Sequence, residues 1–175
     1  MTKWLACALA AVLATAGCGP NSPVGSKPGS VANQPADANV VPVDSEDPEM
    51  KAATQQAQDS LEEFRTALQT PRPGQSSFLV KARFVDGEHV EVMWLNQVTY
   101  ADGHYSGIVN NEPVHVTNIK IGDRARIPEQ EVVDWMFFDQ DRHVAGAYTL
   151  HVLRSRMPAE ERAVFDSQVP LRLKK

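Results

Sequence analysis

The stretch SFLVKARFVDGEHVEVMWLNQVTYADGHYSGIV, residues 77–109, decides the fold. Phe78, Val80, Ala82 and Phe84 alternate with Lys81 and Arg83, the two-residue period of a strand with one buried face. Asp86-Gly87 then marks a hairpin turn. His89 to Tyr100 is β-rich, and Asp102-Gly103 marks a second hairpin, of the type whose central residues need positive φ. Two turns joining three such runs give three antiparallel strands. The third carries Tyr105, Gly107 and Val109 into Asn110-Asn111-Glu112-Pro113. There proline removes a ladder donor and the paired asparagines accept left-handed backbone, so the chain must bend.

Downstream, Val114 to Ile121 reads as a fourth strand, and Gly122-Asp123 turns the chain into Arg124 to Ile127. Pro128-Glu129-Gln130 with Val132 and Val133 predicts a short helical turn before the apolar run Trp135-Met136-Phe137-Phe138. Glycine and proline recurring among short strands suit a curved sheet or a small open barrel of about five to six strands. Thr149 is then placed to cap a helix bearing Leu150 and Leu153, and Met157-Pro158-Ala159-Glu160-Glu161 opens another with Phe165 on its buried face. Upstream, Asp47 can cap, Pro48 suits the first helical position, and Glu49 suits the positive end of the helix dipole. Met50, Ala53, Ala57, Leu61, Phe64 and Leu68 follow at helical spacing until Pro71, Pro73 and Gly74 end the run. The expected class is α+β: an N-terminal amphipathic helix, the curved antiparallel sheet, and C-terminal helices. It forms a single folded domain over residues 47–169, with 170–175 as a loose basic tail.

The first 17 residues read as a secretory signal. Lys3 precedes an uncharged apolar run from Trp4 to Ala16, which at about 1.5 Å per residue falls short of the roughly 30 Å a spanning helix must cross. Thr15-Ala16-Gly17-Cys18 has the small residues of a lipoprotein cleavage site, with Thr15 where leucine is commonest, and Cys18 is the expected lipidation site. The only other cysteine, Cys7, lies within the signal, so no disulfide is expected. Residues 18–46 are rich in proline, serine and glycine, a composition expected to form a disordered tether spanning on the order of 30 Å. The expected location is a bacterial membrane, facing the periplasm. Gly19, where aspartate would favour retention at the inner membrane, leans toward the outer one.

Trp94, Asp102-Gly103, Gly107, Asn111-Glu112-Pro113, Gly122-Asp123, Ile127, Asp134-Trp135-Met136, Gly146 and Tyr148-Thr149 follow one another in an order and spacing that resembles the bacterial family known as domain of unknown function 2314. The resemblance covers roughly Asp47 to Phe165. It implies the domain boundaries and carries no reaction with it. The chain departs from the family pattern at two places: Glu91 is followed by Val92 where members often have histidine, and Leu150 by His151 where they often have arginine.

The side chains point to no cofactor and no metal. The five histidines, at 89, 104, 115, 143 and 151, share no ligand spacing. A formal charge of −5 without a basic stripe disfavours nucleic acid. Two places can carry a site. Glu131 and Asp134, three residues apart beside Trp135, have the residue types for glycan acid–base chemistry, although Asp134 equally suits backbone donors at a turn and Trp135 the core. Asn111, at the bend, could line one polar cleft with Asp134 and Tyr148, although asparagines there also satisfy the bend itself. The residues thus favour a non-enzymatic, lipid-anchored module that binds an envelope protein or cell-wall material, an immunity-type domain being one form. A peptidoglycan hydrolase using Asp134 and Glu131 is the alternative, and a structural subunit of an envelope assembly the third. The sequence sets no oligomeric state.

Overall fold

A computed structural model describes residues 47–140 and 143–169. The expected signal (1–17), the lipidation site Cys18, the tether (18–46) and the tail (170–175) lie outside those residues. Helices α1 (Pro48–Asp59) and α2 (Leu61–Gln69) precede strands β1 (Ser76–Asp86), β2 (His89–Ala101), β3 (His104–Val109) and β4 (Arg124–Pro128). A 3-10 turn (Glu129–Glu131) leads into β5 (Val132–Phe138) and β6 (Val144–Gly146), and helices α3 (Tyr148–Arg156) and α4 (Ala159–Gln168) follow. The strands form one open antiparallel sheet in the order β4-β3-β2-β1-β5-β6. The α+β expectation therefore holds, as an open sheet whose register shifts in β1 and β2 provide irregularity. Among the described residues no helix is long and apolar enough to cross a membrane.

The second hairpin forms as its turn residues dictate: Asp102 and Gly103 both have positive φ, 50° and 72°. Val80, Ala82 and Phe84 of β1, Met93 and Leu95 of β2, and Tyr105 and Val109 of β3 share a core with Ala57, Leu61 and Phe64. Phe64 is fully buried among four rings, with centroids 6.0 Å from Phe78, 5.8 Å from Tyr105, 5.4 Å from Trp135 and 6.4 Å from Phe137. Burying such a ring contributes about 2–3 kcal/mol. The other face of the central strands is covered as well. Leu79, Lys81, Trp94 and Met136 are all buried, so β1 reads as a continuous buried run rather than the expected alternation.

Two expectations need correction. The single N-terminal helix breaks at Ser60, where the Ala57 carbonyl is diverted: the Trp135 indole donates to it at 2.9 Å and the Ser60 hydroxyl at 3.2 Å. Val114 to Ile121 is no strand. Glu91 accepts from the backbone N–H groups of Val114 and His115, and Asp86 takes those of Thr117 and its hydroxyl at 2.7 Å. With its donors bonded to side chains, the segment crosses the sheet as a strap that inserts Val116 into the core.

Candidate functional site

Asn111 ends up as a structural substitute for a strand residue. The Asn110 N–H donates to the Trp94 carbonyl at 2.9 Å, and the Trp94 N–H donates to Asn111 Oδ1 at 2.7 Å. The side-chain amide thus carries pairing one residue beyond the end of β3. Glu131 and Asp134 do not share the expected helical turn. Glu131 closes the 3-10 turn and faces Arg83 across 3.7 Å near solvent, whereas Asp134 lies inside β5 with no exposed surface.

Asp134 is spent on the joint between sheet and helix. Its Oδ1 accepts from the Trp135 N–H at 2.8 Å and the Tyr148 N–H at 3.1 Å; its Oδ2 accepts from the Thr149 N–H at 2.8 Å and the Thr149 hydroxyl at 2.6 Å. Those backbone donors include the first two of α3, whose N-cap position is Ala147 with no capping side chain of its own. Thr149, expected to cap, instead donates to the capping acid from within the helix, and the Lys81 ammonium donates to its hydroxyl at 3.2 Å. Burial pushes the Asp134 carboxyl above the ordinary range, against the pull of the Thr149 hydroxyl, the nearby Lys81 charge and the backbone donors. A carboxylate here also complements the positive end of the helix.

Trp135 is core rather than platform: it is 1% exposed and stacks on Phe137 with centroids 5.9 Å apart. The backbone beside it is shaped by the lack of a side chain at residue 146. A Cβ there would lie 2.3 Å from the Trp135 carbonyl oxygen and 2.5 Å from its ring, and φ is +75°. Tyr148, half-buried, meets the Trp135 ring edge-on at 5.7 Å. The structure thus brings Asp134, Trp135 and Tyr148 together and leaves Asn111 and Glu131 elsewhere.

Over this joint opens a cleft of about 600 Å³ between α1, α3 and β6. Trp135, Ala52, Ala53, Val144, Ala145 and Val152 give it apolar walls, Gln56, Tyr148, His151 and Ser155 supply neutral polar groups, and Glu49 and Glu63 add two carboxylates. Burial, with Arg154 nearby, holds the His151 imidazole below its usual value, so it is neutral at pH 7 and offers both a donor and an acceptor. One rim is fixed by Arg156, which bonds Asp47 and, at 2.5 Å, Glu49, tying the start of α1 to the end of α3. Such a cleft can hold a ligand through hydrogen bonds from neutral and acidic side chains over an apolar floor. Among the described residues no group of three or more His, Cys, Asp or Glu is placed to hold a metal ion. Sequence reasoning found Tyr148 but missed Gln56 and His151. The three-residue spacing of Tyr148 and His151 on one helix was the available signal.

The chain belongs to the family described as "Uncharacterized protein conserved in bacteria (DUF2314)", whose model matches residues 47–173. It is 36% identical over 85 residues to "Uncharacterized protein YegJ" of Escherichia coli K12, a match covering 49% of this chain and 55% of that protein. It is 37% identical over 83 residues to "Putative ankyrin repeat protein NMB1133/NMB1171" of Neisseria meningitidis serogroup B, covering 47% of this chain and 32% of that protein. The chain thus spans about half or less of the length of these relatives. No solved structure matches it.

Proposed function

We propose that this chain is an exported lipoprotein of the bacterial envelope, attached through lipid on Cys18, whose folded domain binds a protein or cell-wall partner rather than catalysing a reaction. Asp134 carries the binding half of this reading. It is the acid best placed beside an aromatic residue, yet it is sealed from solvent and committed to four donors of its own chain. A general acid must reach the proton it transfers, and a bound partner would meet instead the side chains that line the cleft. The anchoring half is supported by Thr15-Ala16-Gly17-Cys18 behind an apolar run too short to span. Two or three acyl chains, at about 0.8 kcal/mol per buried methylene, give close to permanent attachment.

The halves are tested separately. Fractionation of cells expressing the chain should place it with membranes and place Cys18→Ala in the soluble periplasm; a parent chain recovered in the soluble fraction defeats the anchor. Isolated cell-wall sacculi incubated with the chain should release no soluble fragments. Release that drops by orders of magnitude in Glu131→Gln would defeat the binding reading.

A further inference from the structure

Strand β4 ends the sheet, and its hydrogen-bond phase can be worked out. The Val109 N–H donates to the Asp123 carbonyl at 2.9 Å, and the register pairs Ile108 with Arg124, Gly107 with Ala125 and Ser106 with Arg126. Bonded and non-bonded pairs alternate in an antiparallel ladder. The Val109 bond makes Ile108–Arg124 a non-bonded pair and Gly107–Ala125 a bonded one. Arg124 and Arg126 therefore turn their backbone N–H and C=O groups outward, and no strand lies beyond them among the described residues.

Their side chains are exposed, and neither takes part in an ion pair among the described residues. On the opposite face Ala125 and Ile127 are buried, so the edge alternates cation and apolar residue. Pro128 and the bond from Glu129 N–H to the Gly103 carbonyl close the ladder at its far end. A second copy of this strand is a poor partner, because antiparallel pairing centred on Ala125 sets Arg124 against Arg126, and like charges directly opposite destabilise. A lipid surface cannot supply donors and acceptors in strand register.

We infer that β4 is a docking edge for an extended acidic segment of another protein, with acidic residues at alternate positions and small apolar residues between them. The backbone of the segment completes the ladder at Arg124 and Arg126, its carboxylates face the two guanidinium groups, and its apolar side chains extend the core past Ala125 and Ile127. The inference goes beyond the anchor and the cleft and depends on neither. The footprint is short, so the complex is transient.

The test uses the full chain and two synthetic peptides, acetyl-TEVEVT-amide and acetyl-TKVKVT-amide, with amide hydrogen exchange and titration read together. The acidic peptide should slow exchange at Arg124 and Arg126 and bind roughly tenfold more tightly than the basic one, as expected for two cross-strand charge pairs. R124E/R126E, altered only at exposed side chains and checked for an unchanged thermal midpoint, should reverse the preference; R124K/R126K should keep it. Equal binding of both peptides, or binding that leaves both amides unprotected, would overturn the inference. So would protection of both amides in the peptide-free chain, which means that a second copy or another part of the chain already holds the edge.

Discussion

Replacing Asp134 with Asn separates a carboxylate that clasps the fold from one that does chemistry. The change is nearly isosteric, but one of two acceptor oxygens becomes an NH₂ group. If that group takes the place of Oδ2, the Thr149 hydroxyl can rotate to accept from it, but the Thr149 N–H, now 2.8 Å from an oxygen, faces another donor. A buried donor left without a partner costs about 1–3 kcal/mol. Loss of negative charge at the start of α3 costs a further 0.3–1 kcal/mol or so, and relief of the buried charge offsets part of both. The expected destabilisation is about 2–3 kcal/mol, a fall in thermal midpoint of roughly 6–15 °C for a domain of this size. Urea and calorimetric unfolding at pH 7 measure it, with Glu131→Gln as a control expected within about 0.5 kcal/mol of the parent because its ion pair is long and partly exposed. Unfolding of Asp134→Asn within 0.5 kcal/mol of the parent would refute the clasp, since no arrangement of an amide satisfies all four donors.

Two further outcomes follow from the same joint and its neighbours. The Arg156 guanidinium beside Asp47 holds that carboxyl down to about 2, with the Met50 and Glu49 N–H groups of the helix cap adding to the effect. A carboxyl depressed in the folded state contributes stability above its unfolded value, near 3.8, and loses it as pH falls toward 2. Thermal melts between pH 4 and 2 should therefore show a steeper loss for the parent than for Asp47→Asn, and equal slopes would contradict the pairing. Gly146→Ala should cost at least about 2 kcal/mol, since a left-handed alanine alone costs roughly 1–2 and its Cβ would stand 2.3 Å from the Trp135 carbonyl oxygen. Urea midpoints followed by tryptophan fluorescence would show it, and an unperturbed midpoint would refute the close packing.

The hairpins were legible because their instructions are local. Asp102-Gly103 adopts the positive φ its residue types suit, and alternation in residues 78–84 predicts the core face of β1. The errors arise where a distant side chain takes a backbone group. Val114, Val116, Ile119 and Ile121 look like a strand, but Asp86, 31 residues before Thr117, and Glu91, 23 before Val114, take the donors a ladder would need. The helix break at Ser60 depends on an indole 78 residues beyond Ala57, whose carbonyl it takes. Lys81 looks like solvent face because nothing near it in sequence announces Trp94, whose ring centroid lies 5.6 Å from its ammonium.

The candidate site was legible in its parts but not in its purpose, for a physical reason. An acid beside a tryptophan reads the same in sequence whether it faces a ligand or the start of a helix; only the donors around it decide. Here Asp134, Trp135, Gly146, Tyr148 and Thr149, all within the pattern that resembles the family, converge on one junction. Gly146 lets the chain close on Trp135, and Asp134 holds the first turn of α3. Those five positions of the pattern therefore build the joint. The two departures from the pattern fall outside the joint: Val92 is exposed, and the partly buried His151 lines the cleft above it. A neutral imidazole and a guanidinium at residue 151 would admit different ligands through the same scaffold, the former accepting a hydrogen bond and the latter only donating. The cleft thus presents His151 together with Gln56 and Ser155 on a frame whose acid is already committed to its own backbone.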